Sequence, residues 1–345
     1  ANAQCHSCAV CGETAAMSVQ AAPAPAGVLR GHHAEVMALS FLDADLLASG
    51  DSSGEVRIWS ITKREAVVVR REAHADSGIL GVSPLQLGSP RSLLSLGRDG
   101  LLKCWDVGAA GELRHVADAV DGLGNGFGKF ALRYCQGQLL YLAATCGDVS
   151  QNIEIVDSNL KSVATLSSSD RSWGMCTSVG FQTDYVLLST HEDGKLRLWD
   201  IRRSAAASVL QASEEPLFTV SVNPNEDSAI CAGANDQLSS VNISGSRLRS
   251  LQTAKLGGLG VSHVKHRTDG RILAVACWDG RVRIFGTKPG KMGQIRPLAI
   301  LGFHEGNAHC VTFSSTSLLA SAGADRRIAL WSIYPTAASS SLTTV

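Results

Sequence analysis

The sequence predicts an all-β protein assembled from seven repeats, and two observations support this prediction. A turn followed by a short apolar strand recurs with a period of about 43 residues. Each of these strands also ends at a tryptophan or at a residue in its place. The aligned end positions are Trp59, Trp105, Val156, Trp199, Asn242, Phe285 and Trp331. This period and this ending are typical of a seven-bladed WD-repeat β-propeller with about four strands in each blade.

The two ends of the chain predict how the ring closes. Residues 1–26 are rich in Ala, Pro and Cys without periodicity, so we expect a disordered tail. Residues 27–31 look like a lone outer strand, whereas no outer strand follows Trp331. We therefore predict that the N-terminal strand completes the last blade and leaves no open sheet edge. The propeller is predicted to span residues 27–335, and residues 336–345 are expected to form a second disordered tail.

The third repeat is the weakest of the seven, because it has Val156 where most repeats have tryptophan. A six-bladed ring would leave about two periods of sequence unassigned between Trp105 and Trp199. We therefore count the third repeat as a blade.

Composition and charge exclude several classes of partner. The chain has 31 Lys and Arg against 31 Asp and Glu, so no net field favours nucleic acid or an anionic membrane. No stretch approaches the roughly 18 apolar residues of a membrane span. Cysteines inside predicted strands act as small apolar side chains rather than disulfide partners. These are Cys104, Cys176, Cys277 and Cys310. We expect a reducing compartment, which is the cytoplasm, the nucleus or both.

His, Ser, Asp and Trp recur in the same order in separate repeats. One set is His74, Ser95, Asp99 and Trp105, and another is His304, Ser321, Asp325 and Trp331. A third set is His32, Ser49 and Trp59, with Ser53 in place of the aspartate. The same residue types form hydrolase triads. Their repetition at one point of each repeat favours instead a structural tetrad, in which Asp binds His, His binds Ser and Ser binds the indole N–H.

The tetrad interpretation leaves no catalytic residue, cofactor or small-molecule substrate to assign, so we predict that the protein is not an enzyme. Asp193, Asp236 and Asp279 lie at the same turn position in repeats without a matching histidine. We expect these blades to be held less tightly.

Cys5, Cys8 and Cys11 form a C-x2-C-x2-C run, a spacing that binds zinc or an iron–sulfur cluster. A closed site needs four ligands and usually a second half-site. His6 lies awkwardly between two of the cysteines. We therefore predict no metal site and keep these three cysteines as the weak candidate.

The turn between the second and third strands of a WD blade opens on the narrow face of the ring, where we expect partners to bind. The residues that precede the turn aspartate are Ser52, Arg98, Val149, Glu192, Asn235, Trp278 and Ala324. Tryptophan and arginine are enriched in interface hot spots. We therefore predict a partner-binding patch of Trp278, Arg98 and Trp173, with Glu192 and Glu215 on the same rim. The alternative for Trp278 is packing against a neighbouring blade.

The sequence Trp199-Asp200-Ile201-Arg202 contains W-D-x-R. This pattern resembles the adaptor-docking motif of WD-repeat substrate receptors in cullin-RING ubiquitin ligases. Because the repeat itself supplies Trp and Asp, Arg202 is the residue that carries the resemblance. A ubiquitin-ligase receptor is therefore the alternative function.

The last two repeats resemble one particular family. The segments that carry the resemblance are "ACWDGRVRIF" (276–285), "PLAILGFH" (297–304) and "RIALWSIYP" (327–335). They are similar to the G-protein β-subunit-like protein 1 family, which is related to the fungal ASTRA-associated protein 1. The resemblance implies a non-enzymatic adaptor in the co-chaperone machinery that matures phosphatidylinositol-3-kinase-related kinases, or in a chromatin-associated assembly. Its partners would be proteins of a multi-subunit complex.

Overall fold

The computed structural model describes residues 23–334 except 76, 88, 109–111, 121–122, 124–127, 147–150, 168–172, 204, 226, 259 and 288–292. In this part of the chain, 28 strands form seven four-stranded antiparallel sheets. Each sheet is one blade of a ring, so the predicted seven-bladed propeller is confirmed, including the weak third repeat. Across the same residues, no helix has the length and apolar character that crossing a membrane requires.

Within a blade the four strands run in chain order from an inner strand to an outer strand. Blade 1 comprises β2 (Val36–Phe41), β3 (Leu46–Asp51), β4 (Val56–Ser60) and β5 (Glu65–Arg70). Blade 2 comprises β6 (Ile79–Leu87), β7 (Ser89–Gly97), β8 (Leu102–Val107) and β9 (Leu113–Val120). Blade 3 comprises β10 (Ala131–Cys135), β11 (Gln138–Cys146), β12 (Asn152–Asp157) and β13 (Ser162–Leu166).

The next three blades repeat this order. Blade 4 comprises β14 (Cys176–Phe181), β15 (Val186–His191), β16 (Lys195–Asp200) and β17 (Ala205–Gln211). Blade 5 comprises β18 (Leu217–Val222), β19 (Ser228–Gly233), β20 (Gln237–Ser244) and β21 (Arg247–Lys255). Blade 6 comprises β22 (Val261–His266), β23 (Ile272–Cys277), β24 (Arg281–Thr287) and β25 (Ile295–Gly302).

Blade 7 takes its strands from both ends of the chain. It comprises β26 (Ala308–Phe313), β27 (Leu318–Gly323), β28 (Arg327–Ser332) and, as its outer strand, β1 (Gly27–Arg30). β1 pairs with β28 from Gly27 opposite Leu330 to Arg30 opposite Arg327. The closure by the N-terminal strand is therefore confirmed.

One further backbone hydrogen bond precedes the paired strand. The Ala26 N–H donates to the Leu330 carbonyl at 2.7 Å. Leu29, at 1% exposure, anchors β1 in the apolar layer between blades 7 and 1. The rest of the predicted N-terminal tail, up to residue 22, and the predicted C-terminal tail lie outside the described residues.

Strand position within a blade determines the burial pattern. β3 and β4 are buried along their whole length, because each blade is covered on both faces by its neighbours. The outer strand β17 instead alternates between exposed and half-buried residues. The apolar sequence runs thus mark the middle of each blade, and the alternating runs mark its rim.

Among the described residues, the core consists of seven apolar clusters, one between each pair of adjacent blades. The residue that ends the third strand of each blade packs toward the preceding blade, as Trp59 does toward blade 7. In blade 5 this place is taken by Val241, which pairs with Ala229 and is fully buried. The predicted end residue, Asn242, is therefore wrong by one position, because no tryptophan marks this strand.

Closure by β1 predicts a test of ring stability. A chain that begins at residue 32 lacks β1 and the buried Leu29 side chain, whose burial alone contributes about 1.5–3 kcal/mol. We expect it to melt at a clearly lower temperature than the full chain in differential scanning calorimetry. Leu29→Ala should lower the melting temperature in the same direction, whereas Arg30→Ala, at an exposed position, should not. Equal melting of the shortened and full chains would contradict the closure.

Candidate protein-binding face

Hydrogen bonds join both predicted tetrads as expected. In blade 2, His74 Nδ1–H donates to Asp99 at 2.8 Å, and Ser95 Oγ bridges His74 Nε2 at 2.7 Å and the Trp105 indole N–H at 2.8 Å. In blade 7 the corresponding distances are 3.0 Å from His304 to Asp325, 2.8 Å from His304 to Ser321 and 2.9 Å from Trp331 to Ser321. Both tetrads fix the turn against the tryptophan.

The third tetrad is complete, and its fourth member is Asp51 rather than the predicted Ser53. His32 Nδ1 lies 2.8 Å from Asp51 Oδ2, and Ser53 Oγ–H only donates to the other oxygen of Asp51 at 2.7 Å. Ser49 joins His32 and the Trp59 indole as in the other blades. Asp51 ends the second strand rather than lying in the turn, so aligning turns alone pointed to Ser53.

Arginine replaces histidine as the partner of the turn aspartate in two blades. Arg197 donates to Asp193 at 3.1 and 2.6 Å, and Arg283 donates to Asp279 at 3.0 and 2.7 Å. Both guanidinium groups are almost fully buried. These aspartates therefore have a charged partner although their repeats lack the matching histidine. In blade 5 the turn position belongs to Asn235, one residue before the predicted Asp236.

Trp173 takes the place of the tetrad histidine in blade 4. Its ring lies 4.0 Å from the Arg197 guanidinium and 5.7 Å from the ring of His191, which bonds Ser189 at 2.9 Å. The Trp199 indole N–H donates to the same serine at 2.7 Å. Trp173 is thus half-buried and packs within its own blade, where it supports Arg197 and Trp199.

The tetrad serines are unsuited to nucleophilic catalysis. Ser95 and Ser321 are 0% exposed, and each accepts a hydrogen bond from an indole N–H. A nucleophile must reach its substrate and lose its proton to a base. These polar groups instead stabilise the blade, because a buried orphan partner costs about 1–3 kcal/mol.

Removing a tetrad serine should cost stability. Ser321→Ala leaves the Trp331 N–H and His304 Nε2 without their shared partner, so we expect a loss of about 1–3 kcal/mol in the free energy of unfolding. Urea denaturation followed by tryptophan fluorescence measures this change. Ser332→Ala, at an exposed position of the same blade, is the matched control and should change the value by less than about 0.5 kcal/mol. Similar losses in both variants would refute the tetrad's stabilising role.

A recurrent backbone hydrogen bond defines what we call the upper face. In six blades the residue before the turn position donates its N–H to the carbonyl of the loop that leads into the inner strand, at 2.9–3.1 Å. The six donors are Ser52, Arg98, Glu192, Ala234, Trp278 and Ala324. Ala234 therefore replaces the predicted Asn235, and Val149 lies outside the described residues. These six positions therefore lie on one face of the ring.

Trp278 is half-buried and contacts the neighbouring blade. Its ring centroid lies 5.9 Å from that of Phe218, on β18 of blade 5, with 33° between the planes. Its backbone N–H is held by the Gly260 carbonyl at 2.9 Å. Phe218 is also half-buried. The two rings form an aromatic pair across the upper rims of blades 5 and 6, so Trp278 both packs on its neighbour and keeps part of its ring accessible.

The other predicted patch residues differ in their surroundings. Arg98 and Glu215 are exposed. Glu192 is half-buried, and its carboxylate accepts the Met175 N–H at 3.0 Å, so it also holds the loop before β14. Arg98, Trp173 and Trp278 belong to blades 2, 4 and 6, none of which is adjacent to another. Because no two of these blades are neighbours, the three residues do not form one contiguous patch.

Arg202 lies at the opposite end of its blade, beyond β16. Its guanidinium donates two hydrogen bonds to Asp200 at 2.8 Å each and lies 4.9 Å from the Tyr185 ring. This arginine keeps the pKa of the Asp200 carboxyl below its usual value. The Arg202 side chain remains 62% exposed. It is therefore a fixed cation on what we call the lower face.

The candidate metal ligands Cys5, Cys8 and Cys11 lie outside the described residues. Within the described part of the chain, His32, Asp51 and Glu55 place three ligand atoms within 4.8 Å of one another. Arg57 already donates to Glu55, and His32 and Asp51 are joined within the blade 1 tetrad. These groups satisfy one another without an ion.

Buried histidines predict an acid-sensitive ring. Burial lowers the pKa of His191 and of His266 to about 3, from 6.5. Below pH 6.5 the unfolded chain therefore binds protons that the folded chain excludes, and the free energy of unfolding falls as the pH drops toward 3. Between pH 7.5 and 5.5 each histidine should contribute a loss on the order of 1 kcal/mol, measurable by urea denaturation.

The contribution of His266 is separable with a matched pair of variants. His266→Gln should reduce the loss between the two pH values by about 1 kcal/mol. His33→Gln removes an exposed histidine and should leave the loss unchanged. If the free energy of unfolding depended on pH identically in wild type and in His266→Gln, burial of this imidazole would not contribute to the loss of stability at low pH.

Comparison with known proteins agrees with this geometry. Residues 24–60, 245–286 and 295–332 match the family model "WD domain, G-beta repeat". Mouse guanine nucleotide-binding protein subunit beta-like protein 1 is 32% identical, over 91% of this chain and 97% of that protein. ASTRA-associated protein 1 of Verticillium alfalfae is 25% identical, over 88% and 81% of the two chains. That of Schizosaccharomyces japonicus is 23% identical, over 90% and 99%.

The seven blades, the tetrads and the matching repeats define a WD-repeat β-propeller protein. Within that class, the chain belongs to the family of guanine nucleotide-binding protein subunit beta-like protein 1, and it is related to ASTRA-associated protein 1 of several fungi. The resemblance drawn from the last two repeats is therefore confirmed.

Proposed function

We propose that this protein is a non-enzymatic scaffold that binds other proteins through its upper face. Its partners belong to a multi-subunit assembly, either the co-chaperone machinery that matures phosphatidylinositol-3-kinase-related kinases or a chromatin-associated complex. The name of the fungal relatives, which describes association with ASTRA, supports a role within a complex. Free thiols at six described cysteines support a reducing compartment, so we place the protein in the cytoplasm, the nucleus or both.

The observation that carries the proposal is the aromatic pair of Trp278 and Phe218. Tryptophan is enriched in hot spots because one side chain removes a large apolar area from water. The pair is fixed by its own ring contact and by the backbone bond of Trp278 to Gly260. A partner side chain that covers it meets a surface that is already ordered, so little conformational entropy is lost on binding.

The test is affinity purification of the tagged protein from its own cells followed by mass spectrometry, with wild type and Trp278→Ala side by side. We expect wild type to recover kinase co-chaperones or chromatin-associated subunits, and Trp278→Ala to recover several-fold less. Trp278→Phe should retain most of the binding, because an aromatic ring remains over Phe218.

Two controls separate binding from folding. Tyr334→Ala removes an exposed aromatic beyond the end of β28, away from the upper face, and should recover the same partners as wild type. The melting temperature of Trp278→Ala should stay within a few degrees of wild type. Undiminished recovery by a folded Trp278→Ala protein would refute the upper-face site.

The second candidate function is a substrate receptor of a cullin-RING ubiquitin ligase. The observation that favours it is Arg202, which is exposed yet fixed by Asp200 and Tyr185 on the lower face. Under this function, Arg202→Ala abolishes recovery of a cullin-RING adaptor, while Trp278→Ala retains it. Because the two residues lie on opposite faces, the same purification with both variants distinguishes the two functions.

A further inference from the structure

The ring encloses a cavity of about 440 Å³ along its axis, lined by residues from the inner strands of all seven blades. This volume is that of a typical small-molecule site. Trp278 and Phe218 of the upper face do not line this cavity. The polar side chains that do line it therefore have a separate role.

Two lysines, and two histidines whose rings are neutral at pH 7, line the cavity. Lys129 precedes β10 in blade 3, and His263, Lys265 and His266 come from β22 in blade 6. Among the described lining residues there is no Asp or Glu. Neither lysine ammonium forms an ion pair or a hydrogen bond with a described residue. The positive charge inside the ring is thus left uncompensated.

The strand registers show how the cations are arranged. Lys129 lies at the level of His263, and Lys265 lies two residues further along its strand, which is about 7 Å down the axis. Blades 3 and 6 are on opposite sides of the ring. The two lysines therefore approach the axis from opposite walls at neighbouring levels, and repulsion by the Lys265 ammonium disfavours the charged form of Lys129.

Neutral hydrogen-bond donors accompany the lysines. His263 Nδ1 accepts the Val311 N–H at 3.2 Å, so the neutral ring carries its proton on Nε2. Ser40, Ser83 and Thr312 lie at the level of Lys265 on the inner strands of blades 1, 2 and 7. Hydroxyl, imidazole and ammonium donors thus surround the same stretch of the axis.

The charged forms of the two channel lysines are disfavoured, because no carboxylate among the described lining residues compensates them. Burial lowers the pKa of Lys129 to about 8, with a smaller contribution from the Lys265 ammonium, and burial also lowers the pKa of Lys265. The Lys265 side chain is nevertheless exposed to solvent in the channel, whereas Lys129 is half-buried. An anion on the axis would remove this repulsion and satisfy both ammonium groups.

We propose that the central channel binds a small anion with two or more phosphate groups, held by Lys129 and Lys265 and hydrogen-bonded by His263 and the serine hydroxyls. Two cations at two levels of the axis fit two phosphate groups better than one. The cavity volume suits a small molecule. The site is distinct from the upper-face patch and from Arg202, and it does not depend on the proposed function.

Isothermal titration calorimetry of the full chain with pyrophosphate tests this site, at constant ionic strength and pH 7. We expect binding of pyrophosphate to be tighter than binding of inorganic phosphate or sulfate. Lys129→Met and Lys265→Met should each weaken pyrophosphate binding at least about tenfold. Lys63→Met, at an exposed turn of blade 1, is the matched control and should bind like wild type.

Thermal melting gives a second readout that separates binding from folding. Pyrophosphate should raise the melting temperature of wild type and of Lys63→Met, but not that of the two channel variants. Without ligand, Lys129→Met should be at least as stable as wild type, because it loses a half-buried unpaired charge, and Lys265→Met should change the melting temperature little, because Lys265 is exposed. The proposal would be overturned if wild type did not bind pyrophosphate at millimolar concentration, or if Lys265→Met bound it equally well. The first of these outcomes does not depend on the folding of any variant.

Discussion

The structure depends on closure of the ring. Each blade buries both faces against its neighbours, so opening any one interface exposes two apolar surfaces to water. Closure requires β1 and β28, from opposite ends of the described chain, to pair in one sheet. The Ala26 N–H bond to Leu330 and the buried Leu29 side chain fasten that pair. The seven blades are therefore stable as a ring, and the stability of each depends on the others.

Within this ring, each blade must also bury a polar turn, and the chain does so with different chemistry. Histidine and aspartate do it in blades 1, 2 and 7, whereas arginine and aspartate do it in blades 4 and 6. In blade 5, the Asn235 amide donates to Ser213 at 2.9 Å. All of these arrangements satisfy the same requirement, which is that buried polar groups need hydrogen-bond partners. Because the partners lie beneath the turn, the residue just before it is free to vary among Ser52, Arg98 and Trp278.

The periodicity of the sequence predicts the number of blades and the closure of the ring. It does not predict the side-chain contacts that depend on the exact register of the strands. Blade number and closure follow from apolar runs and turn spacing, which are local properties. Asp51 and Val241 were misassigned because a shift of one or two positions leaves the apolar pattern readable while changing which side chain faces the tetrad. Arg197 and Arg283 were missed because arginine, not histidine, pairs with the turn aspartate in their blades. The residues expected to form one patch belong instead to three blades that are not adjacent to one another.

If the upper face binds a protein as proposed, the arrangement of its residues constrains the partner. Arg98 and Trp278 lie on blades 2 and 6, with blades 7 and 1 between them on the shorter arc. A partner that contacts both must follow the rim across two blades or cross the mouth of the channel. A short peptide seated on the aromatic pair of Trp278 and Phe218 reaches only blades 5 and 6. A folded domain or a long segment therefore fits the upper face best, and in crossing the mouth it would cover the cationic channel below.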